Sequence, residues 1–151
     1  MTNAAPATST PLQLTDEMKE MINNAYDNRT PVVVVYVDAN GQPSMSLRGT
    51  AQAWSDTQIA LWARATSNMP QELKERPKVT LWYRDPATRT TLQFRGRAHQ
   101  DDDPQVRDLV FDRSPANEQA ADPERKGVVI IVDLDRVDGR TPAGPVMMRA
   151  E

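Results

Sequence analysis

Two arginines, Arg48 and Arg64, are the residues whose placement most clearly suggests chemistry. They lie within residues 46–68, where apolar and polar residues alternate with period two on both sides of a short turn, as in an antiparallel hairpin. Pairing Ala53 with Ile59 matches the apolar faces of the two strands and places Arg48 opposite Arg64. Like charges that face each other across strands repel, by a few tenths to about 1 kcal/mol. The pair therefore indicates an anion between the guanidiniums, unless both extend into water or pair with acidic neighbours.

Hydroxyl and amide side chains follow the second arginine, in Thr66, Ser67 and Asn68. Asn68 is a residue type that caps helices, and Gln71 stands three positions later, which is the spacing of a capping box. Free backbone N–H groups and the helix dipole at such a start favour a phosphate, although Pro70 removes one of these groups. The sequence predicts an anion site here, and a plain strand-to-helix connection is the alternative.

Composition excludes several other classes of site. The chain has 151 residues, a net charge of −3, no cysteine and one histidine, His99. The length is that of one domain, and the negative net charge argues against general nucleic-acid binding. The absence of cysteine excludes a thiolate, and a single histidine argues against a histidine-rich metal centre. The longest apolar run, Val32–Val37, is too short to span a bilayer, and the amino end lacks the pattern of a signal peptide. We expect a cytoplasmic domain without nucleic-acid or membrane partners.

Three parts are expected along the chain. Residues 1–11 are rich in Ala, Thr, Ser and Pro and predict a disordered leader. Residues 12–140 form the folded domain. Residues 141–151 form a proline- and glycine-containing tail that is loosely held unless a partner covers it.

The domain is expected to be mainly β, of the α+β type. Thr15 and Asp103 are predicted to cap helices, and the β-branched run Val32–Val37 predicts a strand that is buried on both faces. The alternating segments predict a six-stranded antiparallel split β-barrel with short flanking helices. No catalytic side chain is identified, because the carboxylates are scattered in turns. An enzyme of this kind would depend on a cofactor.

The order of these elements resembles a known family over residues 14–138. The shared features are an Asn-Gly turn at Asn40–Gly41, a serine before a short helix, and the strand segments Lys78–Leu81 and Phe94–Ala98. This pattern is similar to that of the flavin-binding split barrel of the pyridoxamine 5′-phosphate oxidase-like family. The resemblance implies a homodimer with two FMN molecules at the subunit interface.

The resemblance also implies where FMN would lie. The phosphate is expected to contact the two arginines and the hydroxyls of Thr66 and Ser67. The backbone of Met45–Leu47 is expected to run along the flavin ring, and Trp82 or Thr91 of the partner subunit to approach it. The expected cofactor-binding residues are Met45, Ser46, Leu47, Arg48, Arg64, Thr66, Ser67, Asn68, Trp82 and Thr91.

Two departures from the family pattern bear on function. Asn68 and Met69 stand where the family usually has a basic pair, so restoring a lysine, most cleanly at position 69, is expected to tighten FMN binding. The segment Thr141–Glu151 lacks the basic and aromatic pattern that holds pyridoxine in the oxidases. We therefore expect an FMN-dependent oxidoreductase of an unidentified small molecule, with NAD(P)H as one possible electron donor. The alternatives are a deazaflavin-dependent reductase and a non-catalytic flavin- or haem-binding module.

Overall fold

The computed structural model describes residues 8–151, so most of the predicted leader lies outside the described residues. The described part contains nine strands and four helices. In chain order they are β1 (Thr10–Pro11), α1 (Asp16–Asn23), β2 (Val32–Val37), β3 (Pro43–Arg48), β4 (Gln52–Ser55), β5 (Gln58–Ala63), α2 (Met69–Glu75), β6 (Lys78–Asp85), β7 (Thr90–Asp101), α3 (Pro104–Arg113), α4 (Ala116–Ala121), β8 (Val128–Thr141) and β9 (Gly144–Arg149).

All nine strands belong to one sheet that forks at β8. The main path is β1–β9–β8–β7–β6–β2–β3, and β5 pairs with β8 and carries β4 on its other side. β7 occupies one edge of β8 along most of its length. The opposite edge is shared between β5, over residues 128–133, and β9, over residues 136–141. The sheet does not close, because β3 pairs only with β2 and β4 only with β5. The predicted split barrel of mainly β structure is confirmed.

The sheet has nine strands where six were expected. Thr10–Pro11 pairs with β9, and the alternating stretch after Pro43 is divided into β3 and β4. The tail adds a further strand, so its predicted loose attachment is wrong. Gly144 opens β9 opposite Thr141 with φ +122°, a backbone conformation that favours glycine. Met148 of β9 packs against the core, and this burial holds the tail in place.

The core lies on the inner face of the curved sheet. Val32 and Val34 of β2 are buried, whereas Val33 and Val35 on the other face are only half-buried. The expected burial of this strand on both faces is therefore wrong, because none of the four described helices packs over its outer face. The largest fully buried side chains are Phe94, Leu14, Ile22, Ile59, Leu61, Met69, Leu81, Leu92, Ile130, Ile131, Val32 and Val34.

Two of the three predicted capping residues, Thr15 and Asp103, cap their helices as expected. The Thr15 hydroxyl accepts a hydrogen bond from the backbone N–H of Met18 at 3.1 Å. The Asp103 carboxylate accepts one from the backbone N–H of Gln105 at 2.8 Å, directly before a proline at the first helical position. These contacts satisfy N–H groups that have no partner within their own helix.

A second apolar cluster joins α3 to the outer face of β5 and β8. The Trp62 and Phe111 rings meet edge to face at 5.2 Å between centroids. Beside them, the buried Asp122 carboxylate accepts hydrogen bonds from Trp62 Nε1 at 2.9 Å and from the backbone N–H groups of Lys126 and Gly127. Burial alone would raise the pKa of Asp122, but these hydrogen bonds outweigh it and hold the pKa below its ordinary value of 3.8. The network ties the end of α4 to β5.

Candidate functional site

The hairpin that carries the two arginines has the predicted register over a shorter length. Ala53 pairs with Ile59 as expected, but the ladder covers only β4 and β5. Arg48 ends β3 instead, opposite Val32, and Arg64 follows the end of β5. The predicted pairing of the two arginines across one ladder is therefore wrong.

The break in the long strand has a local cause. Thr50 uses its hydroxyl, in place of backbone groups, to accept from the N–H and donate to the C=O of Trp62, at 3.0 Å each. Gly49 is closely covered by the Tyr26 ring, so that a Cβ at position 49 would lie 2.8 Å from Tyr26 Cδ2. The chain bends between β3 and β4, and this bend moves Arg48 out of the ladder.

The two guanidiniums nevertheless remain electrostatic neighbours. Burial is the main effect that lowers the pKa of Arg48 below its ordinary value, and the positive charge of Arg64 lowers it further. Tyr36 and Glu118 act in the opposite direction. A half-buried cation beside a second cation is a place where an added anion would be stabilised.

Arg48 lies on the inner side of the edge strand together with Ser46. Its Nη2 donates to the Ser67 hydroxyl at 3.3 Å. Arg48 Nε and Ser46 Oγ are both buried and have no hydrogen-bond partner among the described residues. Buried polar atoms usually have partners, so this pair of atoms points to a ligand or water.

Ser67 takes the capping role that was predicted for Asn68. Its hydroxyl oxygen accepts from the backbone N–H of Met69 at 3.2 Å. Asn68 itself has helical dihedral angles of −82° and −9° and makes no side-chain cap, so the predicted capping box is wrong. The Ser67 oxygen accepts from both Arg48 and Met69, which leaves its own proton free for an anion.

An acidic side chain that sequence reasoning missed lies at this site. Glu118 Oε2, on α4, lies 3.4 Å from Arg64 Nη2. Its Oε1 lies against Gly49, where a Cβ would come within 2.9 Å of it. The expected alternative of pairing with an acidic neighbour therefore holds for Arg64. Glu118 is 54 residues from Arg64 in a polar segment, and no local pattern singled it out.

A cavity of about 210 Å³ opens beside Arg64. Lys74 of α2 contributes a further cation to its wall, and sequence reasoning had not singled out this residue either. The remaining lining residues are Ala63, Ala65, Ser67, Pro70, Gln71, Gln100 and Val128.

Four of the other expected cofactor residues lie on the opposite, outer face of the sheet. Met45 and Leu47 are 72% and 65% exposed, and Trp82 is 36% exposed two strands away on β6. Leu47 and Trp82 both pair with Val33, so they face the same side of β2. Thr91 of β7 pairs with Arg84, two residues from Trp82, and shares this face. Thr66 and Asn68 are exposed beside Ser67.

Other chemistry is sparse in the part of the chain that the structure describes. No group of three or more His, Asp or Glu side chains in residues 8–151 is placed to hold a metal ion. Within the same range, no helix is long and apolar enough to cross a membrane. His99 Nδ1 pairs with Asp133 Oδ2 at 2.9 Å on the exposed surface of β7 and β8.

Comparison with known proteins identifies the family. The sequence model described as Pyridoxamine 5′-phosphate oxidase matches residues 14–138, most of the chain. The chain belongs to the pyridoxamine 5′-phosphate oxidase family. No curated protein matches the sequence at a significant level.

Solved structures share the fold of this pyridoxamine 5′-phosphate oxidase family member at low sequence identity. HupZ of Group A Streptococcus has a TM-score of 0.65 and 19% identity, covering 87% of this chain and 97% of that chain. General stress protein 26 of Bacillus anthracis has a TM-score of 0.65 and 16% identity, covering 88% and 98%. A pyridoxamine 5′-phosphate oxidase-related, FMN-binding protein of Nostoc punctiforme has a TM-score of 0.64 and 14% identity, covering 85% and 82%.

Proposed function

We propose that this protein binds FMN and acts as an oxidoreductase on an unidentified small molecule. The observation that carries the proposal is the cluster of Arg48, Arg64 and Ser67, beside which two buried polar atoms have no partner. Two guanidiniums and a free hydroxyl proton are the donors that a phosphate prefers. Family membership and the FMN-binding relative from Nostoc support a flavin as the phosphate-bearing ligand.

Each part of the cofactor has a matching set of residues. The phosphate would lie between Arg48 and Arg64, within reach of the hydroxyl groups of Thr66 and Ser67 and of the Asn68 side chain. Strand β3 pairs on one edge only, so backbone N–H and C=O groups within Met45–Leu47 are free to hydrogen-bond the ring. When bound, FMN supplies the redox chemistry, and the chain supplies binding and orientation.

A homodimer is part of the proposal. The outer face of β3, β2 and β6 exposes Met45, Leu47 and Trp82, and Met45 and Trp82 line a cavity of about 290 Å³ there. Large aromatic side chains and methionine are enriched at protein interfaces, and none of the helices in residues 8–151 covers this face. A second subunit placed here would cover the apolar face and bring its own Trp82 and Thr91 towards the flavin.

Flavin titration tests the proposal directly. The purified protein should bind FMN with a change in flavin fluorescence and bind riboflavin more weakly, because riboflavin lacks the phosphate. Anaerobic addition of NADH or NADPH to the FMN-loaded protein should then bleach the flavin absorbance. If the protein binds neither flavin, the proposal is refuted. If FMN binds but neither NADH nor NADPH reduces it, the protein binds FMN but does not use NAD(P)H as its electron donor.

A second candidate is a deazaflavin-dependent reductase or a non-catalytic flavin- or haem-binding module. The observation that favours it is that positions 68 and 69 add no positive charge beside the arginines, because Asn68 is neutral and Met69 is buried. In addition, Glu118 pairs with Arg64. An absorbance spectrum distinguishes these ligands, because haem gives a Soret band and deazaflavin absorbs at shorter wavelength than FMN. If the purified protein shows either spectrum, haem or deazaflavin is the ligand in place of FMN.

A further inference from the structure

The carboxylate of Glu118 pairs with one of the two arginines that are proposed to hold the phosphate. Its Oε2 is 3.4 Å from Arg64 Nη2, and its Oε1 lies against Gly49, the residue directly after Arg48. The negative charge also reaches Arg48, where it favours the charged guanidinium. Glu118 is therefore already paired with one of the two guanidiniums that an anionic ligand would contact.

Glu118 weakens the attraction of the two arginines for a phosphate. Arg48 and Arg64 contribute two positive charges, and Glu118 cancels one of them. A phosphate monoester carries about 1.5 to 2 negative charges at neutral pH, so it would meet a carboxylate as well as the cations. Like charges at close range in a partly dry site repel strongly.

The contact is nevertheless one that a ligand can break. The Arg64 side chain is half exposed and that of Glu118 is 22% exposed, and ion pairs in contact with solvent contribute little to stability. Helix α4 contributes no fully buried side chain. Hydrogen bonds from Gln119 to the backbone of α3 and from Asn117 to Tyr26 hold the helix in place. Only the Glu118 side chain has to turn away.

We propose that Glu118 is an internal competitor for the phosphate and thereby determines how strongly the site selects phosphorylated ligands. This role rests on the proposed function, since it concerns the same site. In the free protein the carboxylate offsets one of the two positive charges of the arginine pair. A phosphate-bearing ligand binds only by displacing it, whereas a ligand without a phosphate is unaffected.

The test compares Glu118→Gln with a matched control, Glu124→Gln. Both changes remove one negative charge from the segment between α3 and β8, but Glu124 pairs with the exposed Lys126. Isothermal calorimetry measures the Kd of FMN and of riboflavin for each variant. Glu118→Gln should lower the Kd of FMN about tenfold, as expected for removing a like charge beside a bound ion, and leave riboflavin within about twofold. Glu124→Gln should change neither ligand.

Inorganic phosphate provides a second probe that does not need flavin. At matched ionic strength, phosphate should raise the melting temperature of Glu118→Gln more than that of the wild type or of Glu124→Gln. If neither flavin binds to any variant, the proposed function fails and the phosphate result alone decides the role of Glu118. Two results would show that Glu118 only positions the arginines and that the competitor role is wrong. One is that Glu118→Gln binds FMN no more tightly than the wild type does. The other is that Glu118→Gln gains as much affinity for riboflavin as for FMN.

Discussion

Replacing Arg48 by alanine separates a ligand-binding role from a structural one. Among the described residues, the guanidinium hydrogen-bonds only the Ser67 hydroxyl, at 3.3 Å, and its Nε is buried without a partner. Burial lowers the pKa of this arginine, which means that the folded protein poorly compensates the charge. Removing it should therefore change the free energy of unfolding by less than about 1 kcal/mol.

Ligand binding should respond much more. A charge-assisted hydrogen bond to phosphate contributes about 1.5–3 kcal/mol, so the Kd of FMN should rise about ten- to a hundredfold. The Kd of riboflavin should hardly change. Fluorescence titration with both flavins and urea denaturation of the free protein measure the two effects.

Two further variants act as controls for this experiment. Arg48→Met keeps an unbranched apolar stem and should lose FMN affinity as Arg48→Ala does, because only the charge matters. Arg97→Ala removes an exposed arginine of β7 and should bind FMN like the wild type. An equal loss of FMN and riboflavin affinity, or a large loss of stability in Arg48→Ala, would show that Arg48 supports the fold rather than the phosphate.

Three other predictions follow from burial and charge. Asn68→Lys should tighten FMN binding because position 68 is exposed beside the arginines. Met69 is 0% exposed, so Met69→Lys should lower the melting temperature strongly and bind FMN no better. Calorimetry and thermal melts of both variants check these two predictions. Leu47→Asp on the outer face should give the monomer mass in light scattering, while Leu109→Asp on the exposed side of α3 should keep the mass of the wild type, and a wild-type monomer would refute the dimer. Asp122 has a folded-state pKa below its unfolded value of 3.8, so its stabilising effect is complete above that value and is lost as the pH falls through the lower folded-state pKa. Asp122→Asn should reduce stability at neutral pH and flatten the acid limb of the urea midpoint plotted against pH, and an unchanged acid limb would contradict the assigned pKa.

The position of Met69 corrects an expectation from the sequence. The sequence predicts that a lysine is restored most cleanly at position 69, because a lysine at position 68 would remove the expected N-cap. The first turn of α2 instead directs Met69 into the core, while Asn68 faces solvent. Sequence spacing placed both residues at the helix start, but only packing against the sheet decides which one faces the site.

Features that depend on neighbouring residues could be predicted from the sequence. Thr15 and Asp103 cap their helices because a cap needs only an oxygen two or three residues before the N–H groups that it binds. The pairing of Ala53 with Ile59 followed from alternation, because a one-residue slip would turn every apolar side chain to the wrong face. The resemblance to the flavin-binding split barrel also followed from the order of such local elements.

Tertiary structure decided the features that depend on distant contacts. Packing of Tyr26 over Gly49 and the hydrogen bonds of Thr50 divide the long alternating strand, and this moves Arg48 away from its expected ladder position. Glu118 reaches Arg64 across 54 residues, and the tail becomes β9 because β8 is long enough to offer it a free edge. Alternation and capping act over a few residues, whereas the charge balance at the arginine pair depends on which distant segments the folded sheet brings together.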